Sequence, residues 1–576
     1  MPVALSPVRL HRLFSLVPVA LALAACGGGS DSADPVVPTP ATPLTLTGTA
    51  ATGAAIAGKL VEAKCNGGNG NVNSLADGSY TIAVTGGQLP CVLRVTAADG
   101  TVLHSLATGS GNAAKANLTP VSELVLANLS GGTPASYFGS FDATAAAALT
   151  SAKAEAAVTA VVATLKAAGV DLSATGNVLT ATLVAASGTT AGNDFDKALD
   201  ALQKKLADSG TTLAALVQTV AISSPAAPVT ALSNTPSLPA ELLLQPAASN
   251  CSALRSGKYR LVYNRNHAGG SYDTEVLTVN ATTLTVVNAA GEVNQLRANG
   301  QCRFLTPANG DAVVSQAGIM VLQVQDGGSF HLGLAFPEQT HPLSALAGDW
   351  NALQLERTTD NGPIHLSSGT WTLDATGKLT AATFCEDAVT CESGTLAATA
   401  GFPGIASSVN TSGGFNWTNS RDGWTDRVFL YRTGGGELLR VSLSDAGGHL
   451  ALSTRVVAST LPAVGRVSTF WNITQNNDYT ASAVTEGTNT VRSVDSAAGS
   501  FLRDNQFNAT TGVTRPETLR VNAPRSGFSA RQGETVTASD GSSSAVGRFV
   551  ALSLRGTGIM SVGFPGNNTL VLSVNQ

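Results

Sequence analysis

Hydrophobic and polar positions change period along the chain, and each change marks a class of element. Between residues 44 and 117 the apolar side chains fall in short strand-like runs, as in Leu60-Val61, Tyr80-Thr81-Ile82-Ala83-Val84 and Cys91-Val92-Leu93-Arg94-Val95. Asp77-Gly78 and Asp99-Gly100 punctuate these runs, because glycine supplies the positive φ of a tight turn without steric cost. A small β-domain is expected over 44–117. From 118 to 222 the spacing shifts to three and four. Val158, Val161, Val162 and Leu165 share one helical face. So do Phe195, Ala198, Leu199, Leu202 and Leu206, with Lys197, Lys204 and Lys205 opposite. Asn193 or Asp194 can cap this second helix, Gly210 suits its end, and Thr211 or Thr212 can cap a third that carries Leu213, Leu216, Val217 and Val220. The expectation is a helical bundle over 118–222. Pro225, Pro228, Pro236, Pro239 and Pro246 then mark 223–250 as a linker.

Beyond Cys251 the pattern is β throughout. Runs such as Glu275-Val276-Leu277-Thr278-Val279, Val428-Phe429-Leu430-Tyr431 and Thr569-Leu570-Val571-Leu572-Ser573-Val574 alternate with Asp-Gly, Asn-Gly and Gly-Gly turns. A weak repeat runs through this region. Hairpins centred on Gly327-Gly328, Gly434-Gly435-Gly436 and Gly556-Thr557-Gly558 sit near the ends of three segments, which open at Gly257-Lys258-Tyr259, Gly348-Asp349-Trp350 and Gly465-Arg466-Val467. This predicts three β units over 251–346, 347–463 and 464–576, as successive barrels or sandwiches. The alternative is one propeller to which each unit gives two blades. The opening Leu346-Ala347-Gly348-Asp349-Trp350 resembles the G-x-W start of lipocalin-type barrels. The fold class expected is therefore multidomain and mainly β, with a small N-terminal β-domain, a helical bundle and a large all-β C-terminal region.

The N-terminus changes the picture from fold to location. Arg9 and Arg12 precede an apolar stretch from Leu13 to Ala25, the length of a signal-peptide core and too short for an ordinary membrane span. It ends in Leu23-Ala24-Ala25-Cys26, which resembles a bacterial lipobox. The resemblance implies removal of residues 1–25 and a diacylglycerol thioether on Cys26. In Gram-negative lipoproteins an Asp after that cysteine favours inner-membrane retention, so Gly27 implies the outer membrane. Residues 26–43, rich in Gly, Ser, Pro, Asp and Thr, cannot bury enough apolar surface to fold and are expected to form a tether. The segment Gly48-Thr49-Ala50, Gly58-Lys59-Leu60-Val61 and Ala76-Asp77-Gly78-Ser79-Tyr80-Thr81-Ile82 resembles carboxypeptidase regulatory-like domains. That resemblance implies a transthyretin-like sandwich and an accessory module with no peptidase activity of its own. The order of modules resembles that of bacterial surface lipoproteins.

Composition narrows the function classes. Charged residues are 12% of 576, against roughly 25% in an average domain, and the net charge is −5. The chain therefore offers no field for nucleic acid or an anionic membrane face. Setting Cys26 aside, six cysteines remain, and in an exported chain an even set suggests disulfides. They fall as neighbours in three regions, predicting Cys65–Cys91, Cys251–Cys302 and Cys385–Cys391. Metal binding is the rival reading, weakened by the lack of any C-x-x-C or nearby His cluster.

No G-x-S-x-G, H-E-x-x-H or phosphate loop is present, so no catalytic residue, metal ligand or cofactor is assigned. His331 and His341 flank Pro337 and could meet across a bend to hold a metal or haem iron; the competing and favoured reading is a strand histidine and a loop histidine. The richest patch for ligand chemistry is Phe415, Trp417, Arg421, Trp424 and Arg427, read as a hairpin with Asp422-Gly423 at its tip. Flat rings beside guanidinium donors suit a sugar or a protein partner. The competing reading places both tryptophans in a barrel interior. These features predict an outer-membrane-anchored lipoprotein that displays a β-rich binding or adhesion region, its partners being the membrane through the lipid and a glycan or protein ligand. An envelope hydrolase with its site in 251–576 and a structural envelope protein are the alternatives.

Overall fold

The computed structural model describes residues 43–224, 234–263, 273–357, 364–385, 395–397, 405–420, 423–444 and 449–576. The expected leader and tether (1–42), Cys26, Cys391 and Arg421 lie outside the described residues. Pro43–Gln576 form one compact unit, mainly of strands. Among the described residues no helix is long and apolar enough to cross a membrane.

The first module is two facing sheets. One orders Ser79–Val84, Leu44–Thr49 and Ala113–Lys115; the other orders Gly68–Asn73, Leu60–Asn66, Gln88–Thr96 and Val102–Ala107. Alternation buries Leu44, Leu46, Val61, Ala63, Ile82, Val84, Leu93 and Val95 between them. Cys65 and Cys91 are directly opposite on paired strands and form a disulfide. The helix Pro120–Ser130 is buried on nearly every side because it packs against both the strand Val102–Ala107 and the helices Ser151–Ala167 and Leu213–Ile222. Thr119 caps it, and the Ser122 hydroxyl returns the bond to complete a capping box. The later caps resolve as Asn193 for Asp194–Ser209, with Gly210 at φ 64°, and Thr212 for Leu213–Ile222. The helices thus share a core with the sandwich and are not a detached spacer.

The described part of the stretch expected as a linker, 234–250, is also built in. Leu238, Ala240, Leu242 and Leu244 are buried, and Ala240–Leu243 is a short helix. Arg255 fastens it to the first β unit by donating from Nη1 to the carbonyls of Ser209, Leu243 and Gln245 at 2.9–3.2 Å.

The C-terminal region is three meandering sheets. Two have nine strands and the third is a closed barrel of eight. In each, the first strand pairs with the last: Gly257–Tyr263 with Ser329–Pro337, Gly348–Arg357 with Leu450–Arg455, and Val467–Gln475 with Thr569–Asn575. Each unit is one continuous curled sheet, which excludes the propeller, whose blades are sheets of four strands. The sequence repeat is real but needs one correction. Its second and third hairpins, Thr425–Arg432 with Leu438–Ser444 and Phe549–Leu554 with Ile559–Phe564, are each followed by one more strand. Their counterpart in the first unit is therefore Asp311–Val314 with Met320–Asp326, turning at Gly318, and not the later turn at Gly327-Gly328. Gly318, Gly436 and Gly558 hold φ of 78°, 82° and 76° in these three turns.

The three turns meet the packed segment that begins at Asn234. Gly434 N–H donates to the Ser237 carbonyl (2.9 Å), Gly556 N–H donates to Asn234 Oδ1 (3.1 Å), and Gly558 lies against Pro236. The Tyr431 hydroxyl crosses from the second unit to the Ala317 carbonyl of the first (2.5 Å). Outward faces of all three units merge into one apolar core, with Val321 and Leu334 from the first, Leu353, Tyr431 and Leu452 from the second, and Ile473, Leu552 and Leu572 from the third. Burying one face in this shared core fixes which side chains point into each barrel, since alternate residues must take opposite faces.

Candidate functional site

The interiors of the three β units differ. The first is filled by Tyr259, Leu261, Leu277, Phe304, Ala312, Val314 and Leu322, beside the Cys251–Cys302 disulfide. The second is filled at one end by Trp350, Trp371, Phe415, Trp417 and Leu430. In the third, the inner apolar cluster is only Leu519, Phe549 and Ala551, with Phe501, Val562 and Phe564 partly buried around it.

The sequence explains the third interior. Trp471 and Ile473 face the shared core, so Phe470 and Asn472 face inward. The same logic turns Asn489, Arg503, Asn505, Glu517, Ser529, Ser553, Ser573 and Asn575 inward. Asparagine and serine in so many inward positions leave an eight-stranded barrel unfilled, and such a barrel is just wide enough to hold one small ligand. The result is a cavity of about 910 Å³. Its apolar wall is Phe470, Phe501, Phe507, Phe549, Met560, Val562 and Phe564. Phe507 keeps 42% and Met560 36% of its surface accessible, although both line a barrel interior. The cavity continues to the barrel end where the chain enters, bordered by Thr454, Arg455, Val457–Pro462 and Asn234–Pro236.

One polar cluster stands on that wall. Glu517, 4% exposed, accepts from Arg503 Nε (3.1 Å) and Nη2 (2.9 Å), from Asn505 Nδ2 (2.9 Å) and from Arg531 Nη1. Burial pulls the Arg531 guanidinium below its ordinary pKa, while Glu517 works against that shift. Asn489 stands opposite Asn505 on the neighbouring strand. The side-chain oxygens of both are buried without a hydrogen-bond partner. The lining carries Arg455, Arg466, Arg503 and Arg555 against the single carboxylate of Glu517. Arg555 is paired with Glu437 (2.9 Å), and burial lowers the Arg455 pKa to about 10, so it keeps its charge at neutral pH.

The residues singled out for ligand binding take a different place. Phe415 and Trp417 are 2% and 3% exposed and point into the second unit, as the competing reading of a filled interior has it, so they offer no open face to a ligand. Alternation puts them on one face, as expected, but that face is the interior. The Trp417 ring meets Trp371 and Trp424 edge-on at 5.6 and 5.8 Å, and the Arg440 guanidinium lies 4.7 Å over it. Trp424 is half-buried against the same cluster. Arg427 donates to the Gly413 carbonyl (3.3 Å) and lies over Phe429. Trp350 is fully buried beneath the Arg455 guanidinium, 3.9 Å from its ring. Cys385 is disulfide-bonded, while the Cys391 half of the expected pair lies outside the described residues.

The other end of the second barrel is polar. His449 Nδ1 contacts Asp426 Oδ2 (3.0 Å), and its Nε2 faces Gln354 Oε1 (3.3 Å). Ser442 donates to the same Asp426 oxygen (3.2 Å). Serine and histidine therefore both address the carboxylate, and the histidine is not positioned by it to take a proton from that serine. His331 contacts the Tyr479 carbonyl and His341 contacts Gln339, so the two have separate partners. Among the described residues no group of three or more His, Cys, Asp or Glu gathers as a metal site. A pocket of about 60 Å³ between the first two barrels, lined by Phe336, His341, Gly413 and Phe429, has room for only a few waters.

No family model matches the chain, and no curated protein matches it. Solved structures give distant likenesses. A DUF3598-family protein of unknown function from Nostoc punctiforme is 9% identical, covering 41% of this chain and all of that one, with a TM-score of 0.14. The isotype 1 transferrin-binding protein B of serogroup B Neisseria meningitidis is 12% identical, covering 56% of this chain and 77% of that one, with a TM-score of 0.12. Likenesses at these scores carry no argument about ligand or activity.

Proposed function

We propose that this protein is an envelope lipoprotein, tethered through Cys26 to the outer membrane, that binds one small molecule inside its third barrel. The observation that carries the binding reading is the closed eight-stranded barrel of the third unit, which encloses about 910 Å³, where the two nine-stranded units carry large apolar clusters on their inner faces. Empty apolar surface inside a folded barrel sacrifices packing energy, and a site for a ligand is the usual compensation. The volume lies in the range of roughly 300–1,000 Å³ found for small-molecule sites, and a few polar groups on an apolar wall are the usual way to orient a ligand. The anchor rests on the Leu23-Ala24-Ala25-Cys26 sequence and the tether after it. A single lipid chain holds a protein only weakly, whereas a diacylglycerol thioether brings two. The carboxypeptidase regulatory-like sandwich and the helices attached to it serve as the platform between tether and barrels.

Titration of the purified chain with N-phenyl-1-naphthylamine, an uncharged fluorescent probe, tests the binding reading. Saturable uptake of one probe per chain is expected in the unsubstituted protein and weaker uptake in Met560→Trp, whose larger ring takes up part of the cavity. A wild-type protein that takes up no probe overturns the reading.

A further inference from the structure

Resting on that reading of the third barrel, we propose that its ligand is an amphiphilic carboxylic acid, an apolar chain or ring body with one acid group that seats against Arg503. Two observations point the same way. Phe470, Phe549, Met560 and Phe564 form an apolar patch on a lining that also carries asparagines and serines, a seat for a hydrocarbon body. Arg503 shares the carboxylate of Glu517 with Arg531, on which Glu534 also acts, so Glu517 matches the Arg503 charge only in part. A guanidinium on a cavity wall with donors to spare favours an anionic group beside it.

The division of labour within the cluster decides which cation meets the ligand. Arg531 is 5% exposed and divides its donors between Glu517 and the Gly547 carbonyl, so it is spent on the protein. Arg503 lines the cavity and bonds Glu517 through Nε and Nη2 only, and its Nη1 has no partner among the described residues. Glu517, opposite Arg503 on the neighbouring strand and also on the cavity lining, thereby holds the guanidinium and leaves Nη1 to a ligand. Asn489, on the adjacent strand, has no side-chain hydrogen bond among the described residues and can present its amide to the second oxygen of an acid group. A carboxylate matches one guanidinium edge and one amide, whereas a phosphate carries more charge and more acceptors than this corner can meet.

Competition on the full chain tests this. The protein is loaded with N-phenyl-1-naphthylamine and displaced with oleate or with oleyl alcohol, which share a chain and differ in the head. Oleate is expected to displace the probe at a concentration at least about tenfold lower, the range of a charge-assisted hydrogen bond. Arg503→Met is expected to bring the two competitors together while still binding the uncharged probe. Arg492→Gln, whose side chain pairs with Asp504 and is not part of the cavity lining, is expected to leave the oleate preference intact. Equal displacement by acid and alcohol in the wild type overturns the ligand class but leaves the cavity as a binding site. A preference that survives Arg503→Met overturns the assignment to Arg503. Absence of probe binding in the wild type overturns the underlying binding reading instead. Should Arg503→Met fail to fold, the wild-type comparison still decides the class.

Discussion

Trp417 and His449 stand in the same barrel and show how little a residue type says about its use. The Trp417 ring is enclosed by Trp371, Trp424 and the Arg440 guanidinium, so its area stabilises the fold and offers no face to a ligand. His449 makes a testable claim about pH. Burial works against its positive charge, but the charge and hydrogen bond of Asp426, aided by Glu356, outweigh burial and raise its pKa. A group whose folded pKa lies above its unfolded value of about 6.5 adds stability that is complete below that value. The contribution disappears as pH rises through the raised folded pKa. The urea midpoint of the wild type is therefore expected to fall relative to His449→Gln as pH goes from about 6 toward 9. Parallel midpoints over that range contradict the ion pair with Asp426.

At the scale of elements, the organising feature is the set of equivalent hairpin turns at Gly318, Gly434–Gly436 and Gly556–Gly558, gathered on Asn234–Leu242. A methyl group at Gly434 collides with the Leu238 carbonyl, backbone that has no freedom to withdraw. Gly434→Ala is expected to cost on the order of 2 kcal/mol or more, the range for overpacking a core. Gly566→Ala, in a strand connection with open space around it, is expected to stay within about 0.5 kcal/mol. Thermal melts of the two variants check this, and equal loss in both contradicts the turn cluster as a packing centre. Much at this scale was legible in the sequence. Period-two runs located strands such as Ser79–Val84 and Glu275–Val279, period-3.6 runs located the helices, and turn chemistry revealed the repeat. The repeat was placed one strand late in the first unit because Gly327-Gly328 and Gly318 both make tight turns. Proline density suggested a free linker, but Leu238 and Leu242 lie against the turn at Gly318 and Leu244 is part of the helical core.

The whole molecule explains why the candidate site was not legible. A cavity is set by the summed volume of inward side chains from eight strands, and no single strand records it. Asn472, Asn489, Asn505 and Ser573 look in isolation like polar residues on an outer face. Only the shared core of three units fixes which face is outer, and that core is assembled across hundreds of residues. One signal was present. In Thr485–Asp495 and Ser500–Gln506 the apolar positions are diluted on both faces, unlike the dense Gly257–Tyr263 of the filled first barrel. Aromatic density, by contrast, pointed to the second barrel, where rings serve as filling.

The measurement that tests this account most directly is native mass spectrometry of the full-length protein extracted gently from its own membrane. The account predicts one additional small-molecule mass per chain, released on denaturation. A bare chain mass for the wild type contradicts a ligand inside the third barrel.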